Sequence, residues 1–318
     1  MRYGEGDRES ENVEDRRGEG GGGGMFSRGG GIPIPIGGGG LSIGSLVVIG
    51  IICLMLGINP LELLSSGDGI PRMPDIQRPS PGSRAPFDVP GGQQARIPPE
   101  EVEMTRFVSR VLADTEDVWE RVFQAAGKRY EKPTLVLFKG ATQTACGTGQ
   151  SAMGPFYCPL DKKVYIDLGF YRVLKERFHA PGDFAQAYVI AHEIGHHVQT
   201  LLGVSDKVQA LKQQAMRSGD QPRANAYQVR MELQADCLAG VWASLNDQVK
   251  SRLQPGDVEA GLNAAAQIGD DTLQKRTQGQ VVPESFTHGS SQQRVRWFKK
   301  GLESGRMQAC DTFDGKEL

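Results

Sequence analysis

Residues 41–58, LSIGSLVVIGIICLMLGI, run for eighteen positions without a charged side chain. That length lets a helix cross a hydrocarbon core, and it divides the chain into parts that cannot share one fold. Ahead of it lie forty residues in which glycine is interleaved with five Arg and seven Asp or Glu. Behind it, residues 59–97 are rich in proline: 11 of the 18 prolines and about half of the 42 glycines fall in the first hundred residues. Segments of this composition bury too little apolar surface to offset the entropy of ordering them. The remaining 220 or so residues are ample for a core of their own.

The flanks decide what the apolar run is. A buried core helix would have globular neighbours, not Gly-rich and Pro-rich ones. A cleaved signal peptide needs a short basic leader and a small-residue cleavage site, whereas this leader is long and slightly acidic. The reading is therefore a disordered Gly-rich tail over 1–40, a single transmembrane signal anchor over 41–58, a Pro-rich linker over 59–97 and a globular domain over 98–318. The lipid bilayer is thus an expected partner. Arginine counting nearly ties the orientation, with Arg16, Arg17 and Arg28 before the run and Arg72, Arg78 and Arg84 after it. A net charge of −2 and a pI near 6.3 lack the basic surplus of a nucleic-acid binder.

Cysteine usage breaks the tie. Cys53 sits inside the apolar run, which leaves an even set of Cys146, Cys158, Cys237 and Cys310. Cys146 and Cys158 bracket a Gly-rich turn that a bridge would close, and Cys237 is then expected to pair with Cys310. No C-x-x-C spacing suggests a zinc finger. Four reduced thiols in a cytosolic protein is the alternative. Paired cysteines behind an anchor favour an oxidising compartment, so the expectation is an inner (cytoplasmic) membrane protein with its domain facing the periplasm or exterior and its tail inside.

The domain reads as α+β, a small sheet followed by a helical bundle. PPEEVEMTRFVSRVLADTEDVWERVFQAAG opens it as a helix, with proline at the start and acids in the first turn. PTLVLF reads as a strand, FYCPLDKKVYIDLGF as strand, turn and strand, and helical periods follow over 182–202, 205–218, 222–247, 255–269 and 291–304.

Within 182–202 lies H-E-x-x-H: His192, Glu193 and His196. Residues four apart share a helix face, so the two imidazoles can ligate one Zn²⁺, with Glu193 beside them as a base for water. With five histidines in the chain, chance is a poor explanation of this spacing. Further on, Glu232 and Asp236 are again four apart, on a helix rich in apolar residues. Carboxylates in such a setting need partners. A metal would suit Glu232, and the second ring N–H of a ligating histidine would suit Asp236. His288 can donate to the oxyanion that peptide hydrolysis generates, with Arg294 nearby in sequence. His197 and His179 read as structural.

AHEIGHHVQ, ELQADCLAG and HGSSQQR, in that order, resemble the bacterial neutral zinc metallopeptidase family, and RESENVEDRR near the start resembles that family's beginning. At motif level the chain is similar to gluzincin peptidases of the HtpX and CAAX-prenyl-protease type, which carry H-E-x-x-H, E-x-x-A-D and H-P-S-x-x-x-R. The resemblance implies a zincin-like domain with one zinc per chain. His192, His196 and Glu232 would be ligands, Glu193 the base, Asp236 a partner of a ligand, His288 the oxyanion donor and Arg294 a supporting or substrate-orienting group. One position departs: Gly289 stands where those peptidases have proline. The expected activity is a membrane-anchored zinc endopeptidase acting on peptide or protein substrates. The rival is a membrane-tethered scaffold or chaperone-like module with a zinc-stabilised fold and no catalysis. Glu193 argues against it, since a structural site needs ligands and no base. Two histidines and a carboxylate also suit non-haem iron, though the adjacent base favours zinc.

Overall fold

The computed structural model describes residues 1–18, 98–176 and 182–314. The expected transmembrane helix, the linker and His179 lie outside these residues. Among the described residues, no helix is long and apolar enough to cross a membrane.

The long helix α1 (Pro99–Ala125) starts with proline in its first turn and with Glu100 and Glu101 near its positive end. Val108, Val111, Leu112, Val118 and Trp119 recur at helical spacing and are buried. They form a stripe that packs into the main core.

The sheet contains β1 (Val13–Asp15), β2 (Thr134–Phe138), β5 (Phe156–Cys158) and β6 (Lys163–Asp167), in the order β1-β2-β6-β5. β1, β2 and β6 are parallel, and β5 runs antiparallel on the other edge. Successive side chains of β2 alternate between two cores, as a pleated strand requires. Leu135 and Leu137 enter the main one, while Val136 and Phe138 pack with Cys158 and Tyr165. A hairpin, β3 (Ala141–Thr144) and β4 (Gly147–Gln150), stands apart from this sheet.

The helical part comprises α2 (Gly169–Glu176), α3 (Asp183–Leu201), α4 (Val204–Arg217), α5 (Gln221–Lys250), α6 (Asp257–Gln267), α7 (Asp270–Gln278) and α8 (Ser291–Ser304). The mainly helical α+β expectation holds, and five of these helices fall where the periodicity puts them. Two do not follow from it. α7 is DDTLQKRTQ, too polar to show an apolar stripe, and α2 is only eight residues long.

Three helices pack unusually close. A Cβ on Gly195 of α3 would lie 3.0 Å from the Ala235 carbonyl of α5. One on Gly240 of α5 would collide with the Phe298 carbonyl, and one on Gly301 of α8 with the Cys237 carbonyl. Glycine at these crossings brings α3, α5 and α8 nearly backbone to backbone. That approach carries the three sequence motifs to one point.

The expected disordered tail is corrected over its first eighteen residues. β1 pairs in register with β2, Val13 opposite Leu135, and the rest of the segment is held by charge. The Met1 amino group meets Asp257 at 2.8 Å, Arg8 meets Glu116 at 3.0 Å and Asp117 at 2.7 Å, and Ser10 and Asn12 donate to Glu116 at 2.6 and 2.7 Å. The polar composition of the segment misleads because two of its partners, Asp114 and Glu116, are buried acids on α1. The pairing also sets a condition on the expected topology. A single crossing by residues 41–58 would leave residues 1–18 and the domain on opposite faces of a membrane, where a β1–β2 ladder cannot form.

Candidate metal centre

α3 presents His192 and His196 one turn apart, with ring centroids 4.8 Å from each other. Opposite them α5 presents Glu232, whose Oε2 lies 3.2 Å from His192 Nε2 and 3.3 Å from His196 Nε2. One ligand atom from each of the three lies within 4.8 Å of the others. Two imidazole nitrogens and one carboxylate oxygen converging like this match the donors of a three-protein-ligand zinc site.

Each ligand is held from behind. His192 Nδ1 donates to Asp236 Oδ1 at 2.8 Å and His196 Nδ1 to Gln199 Oε1 at 2.8 Å. Both rings therefore turn Nε2, the nitrogen a metal would take, toward Glu232. The other oxygen of Glu232 accepts from Gln228 Nε2 at 2.6 Å. With every ligand oriented by a second partner, the residues fit a bound zinc.

Asp236 is the hub. It is fully buried and accepts from Tyr188 Oη at 2.5 Å, from Arg294 Nε at 2.8 Å and from Arg294 Nη2 at 2.9 Å, besides His192. Burial pushes its pKa up, but the charges of Arg294 and His192 and their hydrogen bonds outweigh this and hold it at about 2. Arg294, 2% exposed, spends a further donor on the Ile268 carbonyl. Arg294 thus lies enclosed against Asp236.

Electrostatics tune the remaining groups. Burial would lower the His196 pKa, yet the Glu232 carboxylate lifts it to about 9. Glu193, buried beside the ligands, has its pKa raised chiefly by burial. This moves it toward the range in which a carboxylate can exchange protons near neutrality.

His288 stands at the rim, half-buried. Burial lowers its pKa, but Asp270 and then Glu232 raise it further. Asp270 is the residue that the sequence reading missed. Its Oδ2 accepts the backbone N–H groups of Thr287, His288 and Gly289 at 2.6, 2.6 and 3.1 Å, and its Oδ1 lies 3.2 Å from His288 Nδ1. Gly289 has φ +91°. Proline is fixed near −65° and has no N–H to give, so the glycine is what this clamped loop requires. A Gly-Asp-Asp helix start at 269–271 was the visible signal, but nothing in it pointed to His288. Tyr188, Gln199 and Gln228 were missed as well; the first two lie four before His192 and three after His196 on the same helix.

The other expected residues are accounted for. His197 is fully buried and faces away from the ligands, donating from Nε2 to the Glu131 carbonyl at 2.6 Å and accepting at Nδ1 from Tyr157 Oη at 3.1 Å. Burial lowers its pKa to about 4. The disulfides are Cys146–Cys158, which ties the hairpin turn to β5, and Cys237–Cys310, which ties α5 to a 3₁₀ turn (Met307–Cys310) near the C-terminus.

A family model described as "Putative neutral zinc metallopeptidase" matches residues 1–313. The chain is similar to "Uncharacterized protein YpfJ" of Escherichia coli (strain K12), 48% identical over 318 residues and covering 100% of both chains. It is also similar to "Uncharacterized protein Rv2575" of Mycobacterium tuberculosis (strain ATCC 25618 / H37Rv), 42% identical over 226 residues, 68% of this chain and 74% of that one. No solved structure matches the chain.

Proposed function

From the premise that the chain belongs to the neutral zinc metallopeptidase family, we propose that it is a zinc-dependent endopeptidase of the gluzincin type with one zinc per chain. The observation that carries this is the convergence of His192, His196 and Glu232 with Glu193 buried beside them. His192 Nε2, His196 Nε2 and a Glu232 oxygen would hold the metal. Zinc, when bound, supplies Lewis acidity that polarises a carbonyl and acidifies water.

This chain's own groups do the rest. Glu193 takes the proton from the attacking water and passes it to the leaving amine; its raised pKa suits both transfers. His288 keeps Nε2 for the substrate because Asp270 engages Nδ1, and it donates to the carbonyl oxygen as negative charge develops there. Asp236, Tyr188 and Arg294 fix the His192 ring. The substrate lies extended along β5, adding a strand through backbone hydrogen bonds. β5 is a sheet edge, and its Tyr157 packs edge-on to His197 of α3, the helix that bears the ligands.

The test is a peptide-library cleavage assay with metal analysis. Glu193→Gln should keep about one zinc and lose cleavage, whereas His196→Ala and Glu232→Ala should lose both. Cleavage by Glu193→Gln at the wild-type rate would refute Glu193 as the base, and a zinc-loaded wild type that cleaves no peptide would leave the non-catalytic scaffold. Iron in place of zinc would refute the metal.

Two disulfides support a domain that works in an oxidising compartment, the periplasm or exterior. Residues 41–58 would attach it to the cytoplasmic membrane without dividing residues 1–18 from the domain. In intact cells, a membrane-impermeant maleimide should label Glu5→Cys and Lys207→Cys equally. Labelling of only one of them would contradict this arrangement.

A further inference from the structure

The two histidine ligands are steadied in different ways. His192 leans on a carboxylate, Asp236. His196 leans on a neutral amide, Gln199, which is fully buried. An amide can face a histidine with either end, so something must set which end it presents. Gln199 Nε2 donates to the Met231 carbonyl at 2.7 Å and to Gln234 Oε1 at 3.0 Å. With both acceptors on the nitrogen side, only Oε1 can face His196. Nδ1 of His196 must then carry a proton, which makes Nε2 the nitrogen that a metal would take.

Gln234 meets the same ambiguity, and it is resolved one step further out. Its Nε2 donates to the Cys310 carbonyl at 3.0 Å, which commits Oε1 to Gln199. Cys310 is in turn bonded to Cys237, three residues after Gln234 on α5. The same segment is tied again where Thr312 Oγ1 donates to the Arg230 carbonyl at 2.6 Å and Arg230 donates back to the Thr312 carbonyl. Cys237 and Cys310 are 0% and 1% exposed. A bond so enclosed resists exchange with external thiols, so it acts as a fixed anchor and not as a switch.

We propose that Gln199 and Gln234 are positioning residues for His196, forming an amide relay whose outer end is fixed by the Cys237–Cys310 disulfide. The relay sets the tautomer and angle of one zinc ligand from the C-terminal segment, some 110 residues further along the chain. A short distance is spanned by two side chains, each with one acceptable orientation. Loss of an outer link loosens the hold on the next amide, Gln199 keeping only the Met231 carbonyl on its nitrogen side, and a flipped Gln199 would offer N–H to Nδ1 and select the wrong tautomer. Groups that orient a metal ligand typically carry about 10- to 100-fold in metal affinity.

The inference rests on the metal site proposed above. Its experiment is zinc competition against a chromophoric chelator on the full chain, with thermal melting of the metal-free protein run alongside. Gln199→Leu should weaken zinc binding by about 10- to 100-fold. Gln234→Met, at a half-buried position, should weaken it by a smaller factor at an unchanged melting temperature. In a Gln199→Leu background the Gln234 change should add nothing, because the relay is already broken. The Cys237→Ala/Cys310→Ala pair should match Gln234→Met, and Cys146→Ala/Cys158→Ala should leave zinc affinity at the wild-type value.

Wild type that fails to bind zinc overturns the metal site and the relay together. Wild type that binds zinc while Gln199→Leu binds equally well overturns the relay alone. Should Gln199→Leu not fold, Gln234→Met still decides: unchanged zinc affinity there overturns the relay. So do independent, additive losses from Gln199 and Gln234, which would mean two separate packing defects.

Discussion

Two of the helices that bury carboxylates, α1 and α5, do opposite things with them. On α1, Asp114 and Glu116 are each 1% exposed. On α5, Glu232 and Asp236 are 6% and 0% exposed. Both pairs face the same cost, since a buried anion is tolerated only when it is paired. The partners differ. Asp114 is met by Arg252, Lys250, Asn246 and Tyr3, and Glu116 by Arg8, Ser10 and Asn12. These are permanent cations and neutral groups that donate hydrogen bonds to the acids, and none is an imidazole. The α5 acids are met by imidazoles, which can carry a proton or offer a lone pair to a metal. The difference shows that burial of an acid marks a need for partners, and only the chemistry of those partners separates scaffold from site.

Each acid cluster has one buried arginine, and removing it gives the largest contrast. Arg252 bridges Asp114 and Asp7, and Arg294 binds Asp236 through two nitrogens. Truncating one partner of a buried ion pair costs about 3–5 kcal/mol, so Arg252→Ala and Arg294→Ala should lower stability alike in denaturant titrations. Zinc affinity of the folded protein should separate them. Arg294→Ala should lose affinity because Asp236 no longer holds His192 firmly, and Arg252→Ala should keep it. Equal zinc affinities in the two variants would erase the distinction drawn between the clusters.

The contrast also explains what was legible in the sequence. H-E-x-x-H and E-x-x-A-D announce themselves because helical spacing converts directly into a shared face, and acids among apolar residues demand partners; the later His288 and Arg294 come only with the family resemblance. The same argument applied to Asp114 and Glu116 would have asked for cations, and those lie more than a hundred residues away, at Arg8 and Arg252. A strand of three residues, Val13–Asp15, two of them charged, carries no alternation to detect. Its partner, β2, is some 120 residues further on. Asp270 was hidden for a related reason: it acts on 287–289 through backbone N–H groups, which have no sequence signature. Local geometry was readable, and long-range polar pairing was not.

His288 gives the next effect in size. If it donates to the oxyanion, His288→Ala should reduce kcat by roughly 10²–10³ with KM and zinc content little changed. Asp270→Asn should fall between that and wild type, since the loop keeps an acceptor but loses the charge that raises the His288 pKa. A His288→Ala protein that melts earlier yet turns over at the wild-type rate would move His288 to the scaffold side of the comparison.

The smallest effect sharpens the scaffold side. Glu14 of β1 accepts from Arg16 Nε at 2.7 Å and from Lys163 Nζ of β6 at 2.7 Å, reaching past β2. Those hydrogen bonds hold its pKa at about 2 in the folded chain, below its ordinary value of 4.5. A carboxylate whose pKa is depressed by folding stabilises the fold above its unfolded pKa, and that contribution fades as pH falls through the folded value. Wild type should therefore exceed Glu14→Gln in stability at neutral pH, and the gap should close between about pH 4.5 and 2. Because the Glu14 side chain is 39% exposed, solvent screens the interaction. The gap should be small at low ionic strength and smaller still in added salt. The measurement is a pair of urea midpoints at each pH. A gap that stays constant down to pH 2 would mean that Glu14 steadies β1 through packing rather than charge.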